Sequence, residues 1–292
     1  MLQYHVFYHF PCSDGEIAKN VWEIYNPTSL FYKWNHTDVD ESLQLLKRIN
    51  PIDVIVFLDV CPPLKYLHKH RSYIIIDHHQ NAIESMKSDV SFPDYKIKMF
   101  CDISKSGCML AWEYLNQNIN YPLLVKYIGN KDIWDFTDEN TEPYTVGYTN
   151  YISKLKNDVR NLTNKILIND DTYILHNIFI EKGKEMIKTK KLEATIYFNN
   201  MKIITETYMN HGASDEEYKI IDIECTDSSI YKYLAEHAMT FDADVLRILH
   251  TIKEDKKVYS VRSLRDDVTV DNIARYHGGN GHPKAAGYTI FL

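Results

Sequence analysis

Apolar runs and helical periods alternate along the first half of the chain. "HVFYHF" (5–10) reads as a strand, and "DGEIAKNVWEIY" (14–25) places Ile17, Val21 and Ile24 at helical spacing. "SLFYKW" (29–34) is a second strand and "ESLQLLKRI" (41–49) a second helix, with Leu43, Leu46 and Leu45 on its inner side. "DVIVFLDV" (53–60) and "SYIIID" (72–77) are near-continuous apolar runs, as expected of strands buried on both faces. "GCMLAWEYL" (107–115) is helical, with Ser104 or Ser106 as its N-cap. Pro122 fits the first turn of the helix "YPLLVKYI", and Gly129 its end. Strands alternating with helices predict a doubly wound, mostly parallel sheet.

Residues 138–172 carry no clear period, and 172–198 read as a long Lys- and Glu-rich helix. The alternation then restarts. "MKIITET", "YKIIDIEC", "ADVLRILHTI", "VYSVRSL" and "GYTIFL" are strands, and "SSIYKYLAEHAM" and "VDNIARYH" are helices. The expected organisation is α/β throughout: a first domain over 1–170, a helical connector over 171–200 and a smaller α/β domain over 201–292.

Composition narrows the classes. The chain has 292 residues, 45% hydrophobic and 25% charged, enough for packed cores. Its apolar runs are too short to span a bilayer, and "MLQYHVFYHF" lacks the features of a signal peptide. Five scattered cysteines without a CxxC pair imply reduced thiols and a cytoplasmic setting. The net charge of −7 gives no basic face for long nucleic acid. No membrane partner is expected, and a homodimer is compatible with the sequence.

In an open parallel sheet, chemistry collects beyond the carboxyl ends of the strands. Three strands end in potential metal ligands: the first at His9, followed by Asp14 in "PCSDG", the next at Asp59, and the last at Asp77, His78 and His79. Imidazole with carboxylate suits manganese, with magnesium, cobalt or zinc as alternatives. Each residue alone reads as well as a turn or cap; the coincidence at successive strand ends points to one divalent-metal site.

These residues resemble the DHH phosphoesterase superfamily (RecJ-like and nanoRNase-like), named for the triplet seen here as Asp77-His78-His79. "HFPCSDG", the Asp59 strand end, "YIGNKDIW" and the glycine-rich "GGNGHPKAAGY" (278–288) follow the family's motif order, the last as in its C-terminal DHH-associated domain. The resemblance implies metal ligation by His9, Asp14, Asp59, His78 and an acidic residue of the fourth motif, here Asp132, the alternative position being held by Asn130. It implies that Asp59 bridges two ions, that His79 faces the substrate phosphate and that Asp77 orients a histidine. Cys12 departs from the pattern, because a carboxylate is usual there. It either ligates as a thiolate or merely packs and leaves the first ion weakly held, and the second reading is the expectation.

In the C-terminal stretch Gly279 and Gly281 allow close backbone approach and N–H contacts to an anion, and His282 can donate to phosphate or ribose. Arg262 either grips a phosphate, with Ser263 beside it, or pairs with Asp266 or Asp267. A plain glycine turn is the alternative for the whole stretch. From residue 200 onward 11 Lys plus Arg face 15 Asp plus Glu. That balance, in a chain ending soon after Gly287, favours a short oligonucleotide or small nucleotide over long duplex. The expected activity is metal-dependent hydrolysis of phosphate esters by in-line attack of an activated water, in a cleft between the domains. Short oligoribonucleotides, 3′-phosphoadenosine 5′-phosphate and linear or cyclic dinucleotides are the substrate classes. The alternatives are an inorganic pyrophosphatase and a nucleotide-binding regulatory protein with weakened catalysis.

Overall fold

The computed structural model describes residues 3–35, 39–155, 158–168, 173–208, 216–253 and 255–292. The chain forms two compact units, Met1–Lys184 and Glu185–Leu292. The first is built as β1 (Tyr4–His9), α1 (Ser13–Tyr25), β2 (Leu30–Trp34), α2 (Asp40–Arg48), β3 (Val54–Leu58), β4 (Ser72–Asp77), α3 (Gln80–Ser88), β5 (Lys96–Cys101), α4 (Gly107–Asn116), α5 (Leu123–Asp132), α6 (Thr141–Ser153) and α7 (Val159–Ile168). The long helix α8 (Tyr173–Tyr197) runs from the first unit into the second.

The five strands form an all-parallel sheet in the order β2-β1-β3-β4-β5. Alternation along each strand sends side chains to opposite faces. Val6, Tyr8, Val56, Leu58 and Ile76 pack with Ile17, Val21 and Trp22 of α1, with α4 and with α5. Phe7, Ile55, Phe57, Tyr73 and Ile75 pack with Leu46 of α2 and with Ile83 and Met86 of α3. The sheet is therefore covered on both sides, which is why its central strands read as unbroken apolar runs. The chain leaves β1 for β2 on one side and returns to β3 on the other. This reversal opens a crevice at the carboxyl ends of β1 and β3, where ligands bind in sheets of this order.

Two local expectations are corrected. Gly129 does not end its helix, which continues to Asp132. A Cβ at Gly129 would lie 2.6 Å from Ser106 Oγ and 2.9 Å from Met109 side-chain atoms, so this glycine permits α5 to approach α4. Of the two candidate caps for α4, Ser106 serves, accepting from Met109 N at 3.4 Å. The described part of 138–172 contains α6 and α7. The buried face of α6 is made of Thr141, Tyr144, Thr145 and Tyr148 in place of aliphatic residues. Three of them have their hydroxyls matched inside, Tyr144 Oη with His176 Nδ1 at 2.8 Å, Tyr148 Oη with Thr163 Oγ1 at 3.0 Å and Thr145 Oγ1 with Glu142 O at 3.0 Å, whereas Thr141 Oγ1 is buried without a partner.

The second unit comprises β6 (Lys202–Tyr208), β7 (Glu216–Glu224), α9 (Tyr231–Ala238), β8 (Val245–Lys253), β9 (Lys256–Ser263), α10 (Asp271–Tyr276), β10 (Asn280–His282) and β11 (Ala285–Phe291). Its mixed sheet runs β10-β11-β9-β8-β7-β6, with only β7 and β8 parallel among the described pairs. One face packs on α9 and the end of α8, the other on α10. No described helix is long and apolar enough to cross a membrane.

Candidate metal centre

Strand register brings the candidate ligands together. Tyr8 pairs with Leu58 and Leu58 with Ile76, so His9, Asp59 and Asp77 form the next row outward, at the tips of β1, β3 and β4. Asp59 turns there with φ 58, a left-handed conformation that aspartate tolerates better than most residues. Its N–H donates to Ile76 O at 2.9 Å, fixing the turn.

The Asp59 carboxylate is buried between two histidines. His9 Nδ1 lies 3.1 Å from Oδ2, and His78 Nε2 lies 3.2 Å from Oδ1. The His78 contact lacks hydrogen-bond geometry, so Oδ1 is a buried carboxylate oxygen with no hydrogen-bond donor. His78 Nε2 also lies 3.3 Å from Asp132 Oδ2 and 4.0 Å from Asp14 Oδ2. Three donor groups result, each with ligand atoms within 4.8 Å of one another: Asp59, Asp77, His78 and His79; His9, Cys12 and Asp59; and Asp14, His78 and Asp132. Asp132 brings a carboxylate to the group with Asp14 and His78 as the last residue of α5.

Asp77 plays a different part. It is fully buried and its Oδ1 lies 2.7 Å from His79 Nδ1. That bond fixes the His79 ring and leaves Nε2 toward solvent, with 42% of the side chain exposed. The hydrogen bond to Asp77 is the main reason that the His79 pKa is raised, against the opposing effect of burial.

Asp14 is held by groups that the sequence pattern did not single out. Gly107 N and Cys108 N, in the first turn of α4, donate to its two oxygens at 2.6 and 3.0 Å. This is an anion seated on a helix N-terminus. The fit depends on glycine: a Cβ at Gly107 would lie 2.6 Å from Asp59 Cβ and 2.9 Å from Asp14 Oδ2. Gly15 is equally tight, since its Cβ would lie 2.3 Å from His9 O. The signal in the sequence was faint: a glycine directly after a helix cap and another directly after Asp14.

Crowded carboxylates set the electrostatics. Burial first, then the charges of Asp59 and Asp132, push the Asp14 pKa up to about 8. Burial also raises Asp132, with Asp59 adding to it. Asp59 moves the other way, to about 2, because His78 and His9 outweigh its burial. Burial opposes charge on His78, yet Asp59, Asp14 and Asp132 carry its pKa up to about 9. Burial and the Asp59 charge push the Cys12 thiol up to about 12. The crowded acids thus draw positive charge to the pocket, seen in the raised pKa values of His78 and Asp14. A divalent ion supplies the same positive charge, and the unpartnered Asp59 oxygen and the N/O donor set fit one.

The candidates of the second unit lie on one sheet. Leu246 pairs with Arg262, Arg262 with Ala285, and Ala285 with His282, so Arg262 and His282 share a row and a face. Arg262 Nη1 donates to Val261 O at 2.9 Å. Asp267 is paired instead with Arg265, and no described carboxylate pairs with Arg262. Burial lowers the Arg262 pKa, the mark of a partly desolvated cation without a matched anion. Ser263 points to the other face, its Oγ 2.6 Å from Arg265 O and 2.9 Å from Val268 O, so its hydroxyl holds a loop. The N–H groups of Gly279 and Gly281 also have partners within the chain, Ala274 O at 2.7 Å and Asn280 Oδ1 at 2.8 Å. These glycines serve close approach: a Cβ at Gly279 would lie 2.1 Å from Gly287 O, and one at Gly281 2.4 Å from Ala286 Cα.

No family model matches the chain. An uncharacterized protein of Acanthamoeba polyphaga mimivirus is 25% identical over 315 aligned residues, covering 97% of this chain. The chain spans 66% of that curated relative's length. Among solved structures, an uncharacterized protein from Helicobacter pylori matches with a TM-score of 0.35 and 17% identity, covering 99% of this chain and 93% of that one. An exopolyphosphatase-related protein from Bacteroides fragilis matches with a TM-score of 0.42 and 13% identity, covering 98% and 86%. The pGpG-specific phosphodiesterase PggH from Vibrio cholerae matches with a TM-score of 0.53 and 12% identity, covering 100% of this chain and 94% of that one, and with it the chain shares its fold.

Proposed function

We propose that this chain is a metal-dependent phosphoesterase of the DHH type, acting on short oligonucleotides or small nucleotides. The observation that carries the reading is Asp59 at the sheet's switch point, flanked by His9 and His78 and shared by two donor groups. Shared fold with a phosphodiesterase supports it, and the linear dinucleotide named for that enzyme becomes the first substrate to try.

His9, Asp14, Asp59, His78 and Asp132 hold the ions, with manganese favoured for the oxygen-rich group. When bound, the ions polarise the phosphoryl oxygens and acidify water. Asp59 keeps its charge at neutral pH because its two histidines stabilise the carboxylate. His79, held by Asp77, presents a protonated edge that donates to a phosphoryl oxygen as charge develops there. Arg262 and His282 in the second unit bind a further phosphate or ribose of the substrate.

Two substitutions test the substrate role. Arg262→Ala and His282→Ala are each expected to lower kcat/KM by roughly tenfold to a hundredfold, the loss of about 1.5–3 kcal/mol typical of a hydrogen bond to a charged group. The effect should fall on KM, with metal content unchanged. Loss of metal in either variant would contradict a separate substrate clamp.

The function itself is tested with purified chain and manganese, offered a linear dinucleotide, a cyclic dinucleotide, a short RNA and pyrophosphate. Release of mononucleotide from at least one nucleotide substrate is expected. Turnover of pyrophosphate alone would make this a pyrophosphatase, and binding without turnover under any divalent ion would make it a nucleotide-binding protein.

A further inference from the structure

Two of the donor groups differ in kind. Asp14, His78 and Asp132 offer two carboxylates and an imidazole, whereas His9, Cys12 and Asp59 offer an imidazole, a sulfur and a carboxylate. Cys12 stands immediately before α1, with extended φ −148 and ψ 133, and its side chain makes no capping hydrogen bond. Sγ instead lies within 4.8 Å of ligand atoms of His9 and Asp59. Around a tetrahedral ion with sulfur at about 2.3 Å and nitrogen at about 2.0–2.1 Å, neighbouring ligand atoms are roughly 3.3–3.8 Å apart. From separations of at most 4.8 Å, the three side chains reach that spacing with adjustments of up to about 1.5 Å. The independent sign of a cation is the buried Asp59 carboxylate, 1% exposed, whose Oδ1 has no hydrogen-bond donor and lies beside His78 while its Oδ2 is 3.1 Å from His9 Nδ1.

We propose that Cys12 is a metal ligand, and that the His9 side takes a borderline ion such as zinc or cobalt(II) while the Asp14 side takes manganese or magnesium. The inference rests on the metal-centre reading above and reverses the expectation that Cys12 merely packs. Thiolate is a soft donor and selects such ions, while an all-oxygen neighbourhood with one imidazole favours harder ones. On ligation the S–H bond breaks, its proton passes to solvent and the sulfur–metal bond forms, with no change of oxidation state. The centre would then hold two different metals.

Cobalt(II) reports the ligand directly. Metal-stripped full-length chain titrated with cobalt(II) should develop a sulfur-to-cobalt charge-transfer band in the near ultraviolet. Cys12→Ser and Cys12→Asp should bind cobalt, seen by its visible bands, without the charge-transfer band. Under competition between zinc and manganese, counted by elemental analysis, Cys12→Asp should shift the first position toward manganese. The shift should be at least the roughly 10–100-fold that loss of a mere supporting contact costs a metal site. Cobalt bound by the wild type with no thiolate band, or a band that persists in Cys12→Ser, would overturn the assignment and leave the metal centre standing. A chain that binds no cobalt at all would overturn the centre and this inference together.

Discussion

Asp59→Asn should leave a folded chain that hydrolyses phosphate esters at less than about a hundredth of the native rate, since even partners outside the ligand shell cost 10–100-fold. Asparagine is the informative replacement. It keeps the side-chain volume in a site only 1% exposed, and it tolerates the φ of 58 that alanine would resist. What it loses is the charge that faces both His9 and His78. The charge of Asp59 also helps to raise Asp14 and Asp132, so removing it relieves repulsion in the metal-free state. The variant should melt near the wild type in chelator but fail to gain stability when manganese is added, because stabilisation by a ligand follows its affinity. A native-like rise in Tm with manganese would place the ions elsewhere.

Gly107→Ala should damage both stability and metal binding, although the residue carries no chemistry. The new Cβ would stand 2.6 Å from Asp59 Cβ and 2.8 Å from Asp59 Oδ1, and neither neighbour has a path to solvent. Either the α4 N-terminus lifts, stretching the 2.6 Å bond from Gly107 N to Asp14, or the carboxylates move apart. Overpacking of this kind costs about 1–3 kcal/mol. Manganese affinity should fall by at least about tenfold, since a support of the ligands is displaced. Gly278→Ala is the control: φ there is +75 with nothing within 4 Å, so backbone strain is added without any steric contact. Urea unfolding with manganese calorimetry separates the two. Native affinity in Gly107→Ala would show that the cradle around Asp14 is not part of the centre.

The difference between these two residues shows what the sequence carried. Asp59 was legible because β3 is buried on both faces, so its apolar run stops abruptly where the sheet ends and polar chemistry begins. The same holds for His9 and for the tip of β4. Gly107 was not legible, since its role depends on α4 crossing to within contact of two side chains 48 and 93 positions earlier. Asp132 stayed ambiguous because the length of α5 hinges on Gly129, a residue that reads as a terminator yet serves helix packing. Strand β5 escaped notice as an edge strand with lysines at alternate positions, and α6 because threonine and tyrosine form its buried face. In the second unit the glycine-rich stretch was recognisable. The inward turn of the Ser263 hydroxyl, however, follows from strand alternation and the 265–268 loop, which spacing alone does not reveal.

The proposed divalent-metal centre is organised by His78, whose Nε2 reaches Asp59 at 3.2 Å, Asp132 at 3.3 Å and Asp14 at 4.0 Å. The most direct test is hydrolysis of a linear dinucleotide by chelator-stripped chain, before and after manganese is restored, in wild type and His78→Ala. The predicted result is no turnover when stripped, recovery with manganese in the wild type, and none in His78→Ala despite a native fold by circular dichroism. Turnover by the stripped chain, or equal recovery in His78→Ala, would contradict it.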